Sequence, residues 1–457
     1  MTRKADEPRI TKRRIRLWHG ILVLAIVLVA TMVTLRWRWR REFRQRIEAL
    51  AAAGYPVTLE QLDASYERPE SGENAGEWIL DACSYYSEPA SKADEETVWS
   101  IVRGRQGERA EPLTDEARAV LTQHIAANAK TLEVLRRAAT MEHSRYPIDL
   151  KKGYAERASR IGYVVNTATF LLAAELASHV ETGDAAGAVA SMQTCLGVAN
   201  SLAPEPRGHS QLMRRACISL VVTALQRVMS RVEFTDEQLI TLDGLLAEVY
   251  RPQNWVRAVS GDQCLTLALH RRPELLDEEV IGPDAPAPFI LLGHEALGWL
   301  DRSGIASLDL MQQYIQTRRL PLHERLDAVE DISRAREAIP KRYFIVHQFM
   351  WSAHYATQYE LGEIARVRTA RVALAVERYR LAHGALPGAL NDLPANTLDV
   401  TPTDPYDGAP LRYKRLDRGF VVYSIGKDDA DNGGKERRPS RARDAEKVYD
   451  ITFTVER

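Results

Sequence analysis

Near the C-terminus the chain reads YSIGKDDADNGG, residues 423–434. Asp428, Asp429 and Asp431 supply hard oxygen donors, Asn432 adds an amide oxygen, and Gly426, Gly433 and Gly434 let the backbone turn tightly. Carboxylate and carbonyl oxygens on a glycine-rich turn are the donor set that a hard cation such as Ca²⁺ takes. The same composition also makes a solvated hairpin loop between two strands. Other chemistry is scarce. The chain has no phosphate-cradling Walker loop, no G-x-S-x-G, no H-E-x-x-H and no G-x-G-x-x-G. His294-Glu295 and His323-Glu324 are bare dipeptides. Arg157 and Arg160 in GYAERASRIGY suit a salt-bridged helix start better than an anion site.

These residues belong to a chain of 457 residues, 45% apolar and 27% charged, long enough for several domains with real cores. The formal net charge of −1 points to no nucleic-acid partner. The cysteines, Cys83, Cys195, Cys217 and Cys264, form no C-x-x-C pair, and suggest neither a disulfide framework nor a zinc site.

Residues 17–35, LWHGILVLAIVLVATMVTL, carry no Asp, Glu, Lys or Arg. As a helix they rise about 28 Å, close to the thickness of a bilayer core. Basic residues flank the run on both sides, and Trp18 and Trp37 sit at its ends as in an interfacial belt. The expectation is an uncleaved single-pass anchor in the inner (cytoplasmic) membrane, with residues 1–16 as a basic tail inside and the bulk of the chain outside. The stretch Arg36 to Arg46 would lie on lipid headgroups, giving membrane contact through residues 17–46. Residues 36–110 read as a juxtamembrane helix followed by a loose connector, with Thr58 and Gln61 at capping-box spacing.

From residue 111 to 339 the pattern is helical. Thr114 and Thr235 precede paired acids, and Thr235 with Gln238 has capping-box spacing. Residues 161–180 carry one charge, Glu175, and should form a central helix. Val189, Met192, Leu196, Ala199 and Leu202 share one face, and a following helix presents Leu212, Ala216, Leu220 and Leu225 inward. ETGDAAGAVASM weakly resembles the turn of tetratricopeptide-type hairpins, without a 34-residue period. From Pro340 a long helix is expected to about His383. Its stripe of Tyr343, His347, Trp351, Tyr355 and Tyr359 makes either helix packing, the usual role of such stripes, or a ligand groove.

The last part, residues 340–457, ends in a small module. RVALAVERYRLAHGALPGALNDL, DPYDGAPLRY, RGFVVYSIGKDD, DNGG and YDITF together resemble the globular part of the major pseudopilin of type II secretion systems. The resemblance covers about residues 366–455. It implies a helix packed on a three-stranded meander, with a calcium site in the Asp/Gly loop formed by Asp428, Asp431 and Asp450. The residues agree on the fold: Gly384 and Pro387 end the helix, and Tyr449, Ile451, Phe453 and Val455 alternate onto one strand face. Several features depart from the family. Lys435, Arg437, Arg438, Arg441, Arg443 and Lys447 would oppose a bound cation, and the Asp-Pro-aromatic turn DPYD has its Gly one place later than in the family. The apolar run at 17–35 has no Glu and lies far from the module, so the chain is not a processed pilin subunit.

The expected fold class is therefore mainly α with a small α+β C-terminal module. The expected function is a non-enzymatic membrane-anchored scaffold or assembly protein of the cell envelope, with unknown protein partners. The alternative is an envelope enzyme whose site joins residues far apart in sequence.

Overall fold

The computed structural model describes all residues except 1–8, 70–72, 106–107, 157–158, 277–279, 281–286, 351–352, 395–396, 398–401 and 437–448. The fold is mostly helical, with one small antiparallel sheet near the C-terminus, as the sequence pattern predicts.

Helix α1 (Arg9–Ala52) continues well past the apolar run, because the Arg-rich stretch after Leu35 is itself helix-forming. Gly54, at φ 85°, lies just beyond its end. Trp18–Ala52 contains a window long and apolar enough to span a membrane, and none of that window is buried. Ile161–Thr182 meets the same criterion but is 72% buried, as a core helix should be.

The described residues between α1 and residue 110 are more than the loose connector expected. They hold α2 (Leu59–Ser65), α3 (Ala75–Ser84) and α4 (Lys92–Val102), capped by Thr58, Asn74 and Ser91. Helices this short are marginal alone and show little periodicity. Tertiary packing orders them: Leu59, Leu62, Tyr66, Ile79 and Ala82 are buried in the main core.

The helical body follows as α5 (Asp115–Ala127), α6 (Ala129–Ala138), α7 (Ser159–Thr182), α8 (Ala185–Asn200), α9 (Gly208–Arg231), α10 (Asp236–Ala247) and α11 (Pro252–Arg271). Helix α7 is central, packed against α3, α4, α5, α8 and α9. Its Glu175 is held by Arg136 and by the Ser191 hydroxyl, which donates to Oε2 at 2.7 Å. The face expected of α8 is inward. That of α9 is rotated: Ala216 is exposed and Leu212 and Leu220 are half-buried, whereas Cys217, Ile218, Val221, Val222 and Leu225 are buried. Helix α9 is covered by α7 on one side and by the C-terminal module on another, so the burial stripe is wider than its leucines mark.

Next come α12 (Pro288–Ala296), α13 (Trp299–Thr317), α14 (Arg325–Glu337), α15 (Phe344–Phe349) and α16 (Ala353–His383). The helix expected from Pro340 therefore begins later. Pro340 opens a turn closed by the Tyr343 N–H, and extended backbone at Met350 separates α15 from α16. The aromatic stripe divides accordingly. Tyr343 is buried, Tyr355 and Tyr359 are exposed, and Trp351 lies outside the described residues.

The sheet order is β1 (Arg412–Leu416), β2 (Gly419–Ser424), β3 (Ile451–Val455), with Arg412 opposite Tyr423 and Phe420 opposite Val455. Its inner face, Phe420, Val422, Phe453 and Val455, packs on α16, and β3 also contacts α9. Two paired arginines fasten α16 to α10. Arg371 reaches Asp243 at 2.6 and 3.0 Å, and Arg378 reaches Asp236 at 2.7 and 3.3 Å.

Candidate functional site

The C-terminal module gathers its aspartates at one end of the meander. Gly384, at φ 68°, terminates α16 and sends the chain back toward the sheet. Asp404 then opens the turn before β1 and is fully buried. Its Oδ1 accepts from the Tyr406 N–H at 3.0 Å and the Ser424 hydroxyl at 2.8 Å. Its Oδ2 accepts from the Ile425 N–H at 2.9 Å and from Arg412 Nη1 at 2.7 Å. Both oxygens of Asp404 are thus spent on joining the turn, β1 and the end of β2.

Arg412 does more than pair with Asp404. Its guanidinium also bonds Asp407, and Nε lies 3.8 Å from Asp431 Oδ2. Burial alone would raise the Asp407 pKa, but the Arg412 hydrogen bond and the Ala409 N–H outweigh it and hold the carboxyl below its usual range. One arginine therefore supplies positive charge to three carboxylates.

The Asp/Gly loop closes on itself from the other side. Asp429 adopts a left-handed conformation at φ 54°, which short polar side chains tolerate. Asp428 Oδ2 accepts from Asn432 Nδ2 at 3.1 Å, and Asp431 Oδ1 accepts from the Gly433 N–H at 2.9 Å. Asp450, 2% exposed, accepts from three backbone N–H groups: Asn432 at 3.2 Å on Oδ1, and Gly434 at 2.7 Å and Lys435 at 3.1 Å on Oδ2. Burial raises the Asp450 pKa, opposed by these three donors.

Asp428, Asp431 and Asp450, the set the pseudopilin resemblance implies, lie at the β2–β3 connection, where Asn432 bonds both Asp428 and Asp450. As placed, however, they do not compose a calcium shell. Four of their six carboxylate oxygens already accept hydrogen bonds within the loop, and a fifth, Asp431 Oδ2, faces Arg412. Asp428 Oδ1 is buried without a hydrogen-bond partner. Calcium takes six to eight oxygens, and among the described residues no group of three or more acids, histidines or cysteines is placed to hold a metal. Lys435 belongs to the loop, while the cations from Arg437 to Lys447 lie outside the described residues.

Other buried charges were not legible as a site, because each constellation joins remote segments. Glu360 on α16 is fully buried and takes Arg318, Arg325 Nη1 at 3.1 Å and the Tyr250 hydroxyl at 2.8 Å. Glu205, between α8 and α9, is also fully buried; desolvation raises its pKa against the pull of Ser210 and Arg207. A polar cleft of about 640 Å³ is lined by Asp63, Asn74, Glu77, Arg145, Tyr146 and Lys151. Within it Arg145 is committed to Asp63 at 2.7 Å and stacks over Tyr66 at 4.6 Å. An apolar cavity of about 220 Å³ lies between α11, α13, α14 and α16, lined by Val259, Leu310, Tyr314, Ile332 and Ala356.

No family model, curated protein or solved structure matches this chain.

Proposed function

We propose that the protein is a membrane-anchored, non-enzymatic scaffold or assembly protein of the cell envelope. In this reading α1 spans the inner membrane once, the bulk is extracytoplasmic, and the C-terminal unit is a pseudopilin-like module presented at the bilayer.

One observation carries the reading: the anchor helix runs without a break into the folded body and is packed there. Phe43 and Leu50 of α1 are buried with Leu267, Ile305 and Leu308. Arg46 is paired with Asp309 and Glu42. A tether of this kind holds the body at fixed height and orientation over the membrane, which suits a protein that positions partners. The buried carboxylates support the same reading, since Asp404, Asp450, Glu175 and Glu360 each hold separate segments together. The pseudopilin-like reading rests on the shared order of helix, meander and Asp/Gly loop. Calcium has no part in the proposal, since four of the six carboxylate oxygens at the loop accept from the chain's own donors and a fifth faces Arg412.

The enzyme alternative rests on the polar cleft at Asn74, Glu77 and Tyr146. The two readings separate in cells lacking the native gene. Glu77→Gln and Tyr146→Phe should restore the phenotype fully, whereas a chain whose α1 is exchanged for a flexible lipidated tether should not. Loss of function in the cleft variants at normal protein level would sink the scaffold reading.

A further inference from the structure

We propose that α12 is a second membrane contact, a short helix lying in the interfacial layer of the same leaflet from which α1 emerges. The proposal rests on the reading of α1 as a membrane span.

Helix α13 runs alongside α1 in the same direction, and the last turn of α12 reaches Arg36. Asp309 meets Arg46, Gly304 meets Phe43, Gly298 meets Trp39 and Arg36, and Glu295 lies 3.8 Å from Arg36. Each step toward lower numbers on one element matches a step toward the apolar span on the other. Glu295 thus sets the end of α12 beside Arg36, the residue that follows the apolar run, and residues 289–292 lie within two helical turns of it.

The exposure of α1 agrees. Met32 and Leu35 are each 38% exposed, whereas the other large apolar side chains from Ile21 to Val33 are 50–63% exposed. Met32, Leu35, Trp39, Phe43 and Leu50 fall on one helical stripe, so the face that meets α12 and α13 continues into the span.

Helix α12 nonetheless turns apolar groups outward. Phe289 is 73% exposed and Leu292 65% exposed, with Ile290 beside them. The helix is not loose. Leu291 packs on the Leu276, Leu300 and Ile345 cluster, and His294 Nε2 is hydrogen-bonded to the Arg342 carbonyl at 3.1 Å. The surroundings have interfacial character: Trp37 is exposed, Arg342 lies over Trp299 at 5.2 Å, and Lys341 and Arg302 are exposed. A nine-residue helix with an apolar outer face beside a bilayer exit is suited to insertion at the headgroup boundary. Continuity with the span selects lipid as the occupant over a second protein copy.

The test uses the full-length chain with Cys83→Ser, in nanodiscs containing lipid spin-labelled near the top of the acyl chain. An NBD fluorophore is placed in turn at Leu292→Cys, at Val27→Cys in the span, and at Ile240→Cys on α10 as an exposed control. The expected result is quenching at positions 27 and 292 severalfold above that at 240. Quenching at 27 but not at 292 overturns the proposal and leaves the anchor intact. A blue shift at 292 without quenching assigns the face to protein and also overturns it. Absence of quenching at 27 removes the anchor reading, and the proposal with it.

Discussion

Gln226 of α9 accepts the backbone N–H of Thr454 on β3 at 3.0 Å, and one helical turn on, Ser230 accepts the N–H of Glu456 at 3.0 Å. Strand β3 is the edge of the sheet, and an unpaired edge is an invitation to association. Here a helix of the body covers it with side-chain acceptors. Gln226→Ala leaves a buried N–H unpaired, and should cost about 1–3 kcal/mol. Denaturant unfolding of the full-length protein in detergent measures it; a change under about 0.5 kcal/mol would show the edge is satisfied otherwise.

Gly304 is small because Phe43 occupies its Cβ position. A methyl group there would lie 2.5 Å from two ring atoms. Gly304→Ala should therefore destabilise by about 1–3 kcal/mol despite the better helix propensity of alanine. In Phe43→Ala the same change should cost little, giving a non-additive cycle by thermal unfolding. Additive effects would mean that the anchor helix is not packed as described.

His270 sits under the same junction, buried, 6.3 Å from the Phe43 ring. The Thr266 carbonyl can only accept, so Nδ1 carries the proton at 2.9 Å and Nε2 accepts from Ser303 at 3.0 Å. Desolvation lowers the His270 pKa from 6.5 to about 4, against the Thr266 hydrogen bond. Between those values the unfolded chain binds more protons than the folded one, so stability falls as pH drops from 6.5 toward 4. The loss should reach about 3 kcal/mol near pH 4. Unfolding midpoints across that window should flatten in His270→Gln; an unchanged slope would place the acid sensitivity elsewhere.

Asp450 is the clamp of the Asp/Gly loop. Asp450→Ala frees three N–H groups, and should cost about 2–4 kcal/mol by denaturant unfolding. Asp428→Ala, which removes one hydrogen bond and one unpartnered oxygen, should cost less than about 1 kcal/mol. Calorimetric titration with millimolar calcium should give no saturable heat. A calcium-dependent rise in unfolding temperature that Asp428→Ala abolishes would instead show that further oxygens complete a cation site.

Much of the architecture is written in local pattern. The apolar run at 17–35, the central helix around Glu175, the caps at Thr114 and Thr235, and the alternation of Phe453 and Val455 each reflect a period or a turn within a few residues. So did the meeting of Asp428 and Asp431, which share one glycine-bounded turn. Tertiary structure alone decided the rest, because burial and hydrogen-bond partners depend on segments far apart in the chain. Leu59, Leu62, Tyr66, Ile79 and Ala82 are ordered because a distant core receives them. Arg412 and the loop N–H groups, rather than a metal, engage most of the aspartate oxygens. Arg46 meets Asp309 across 263 residues, and no spacing rule could have paired them.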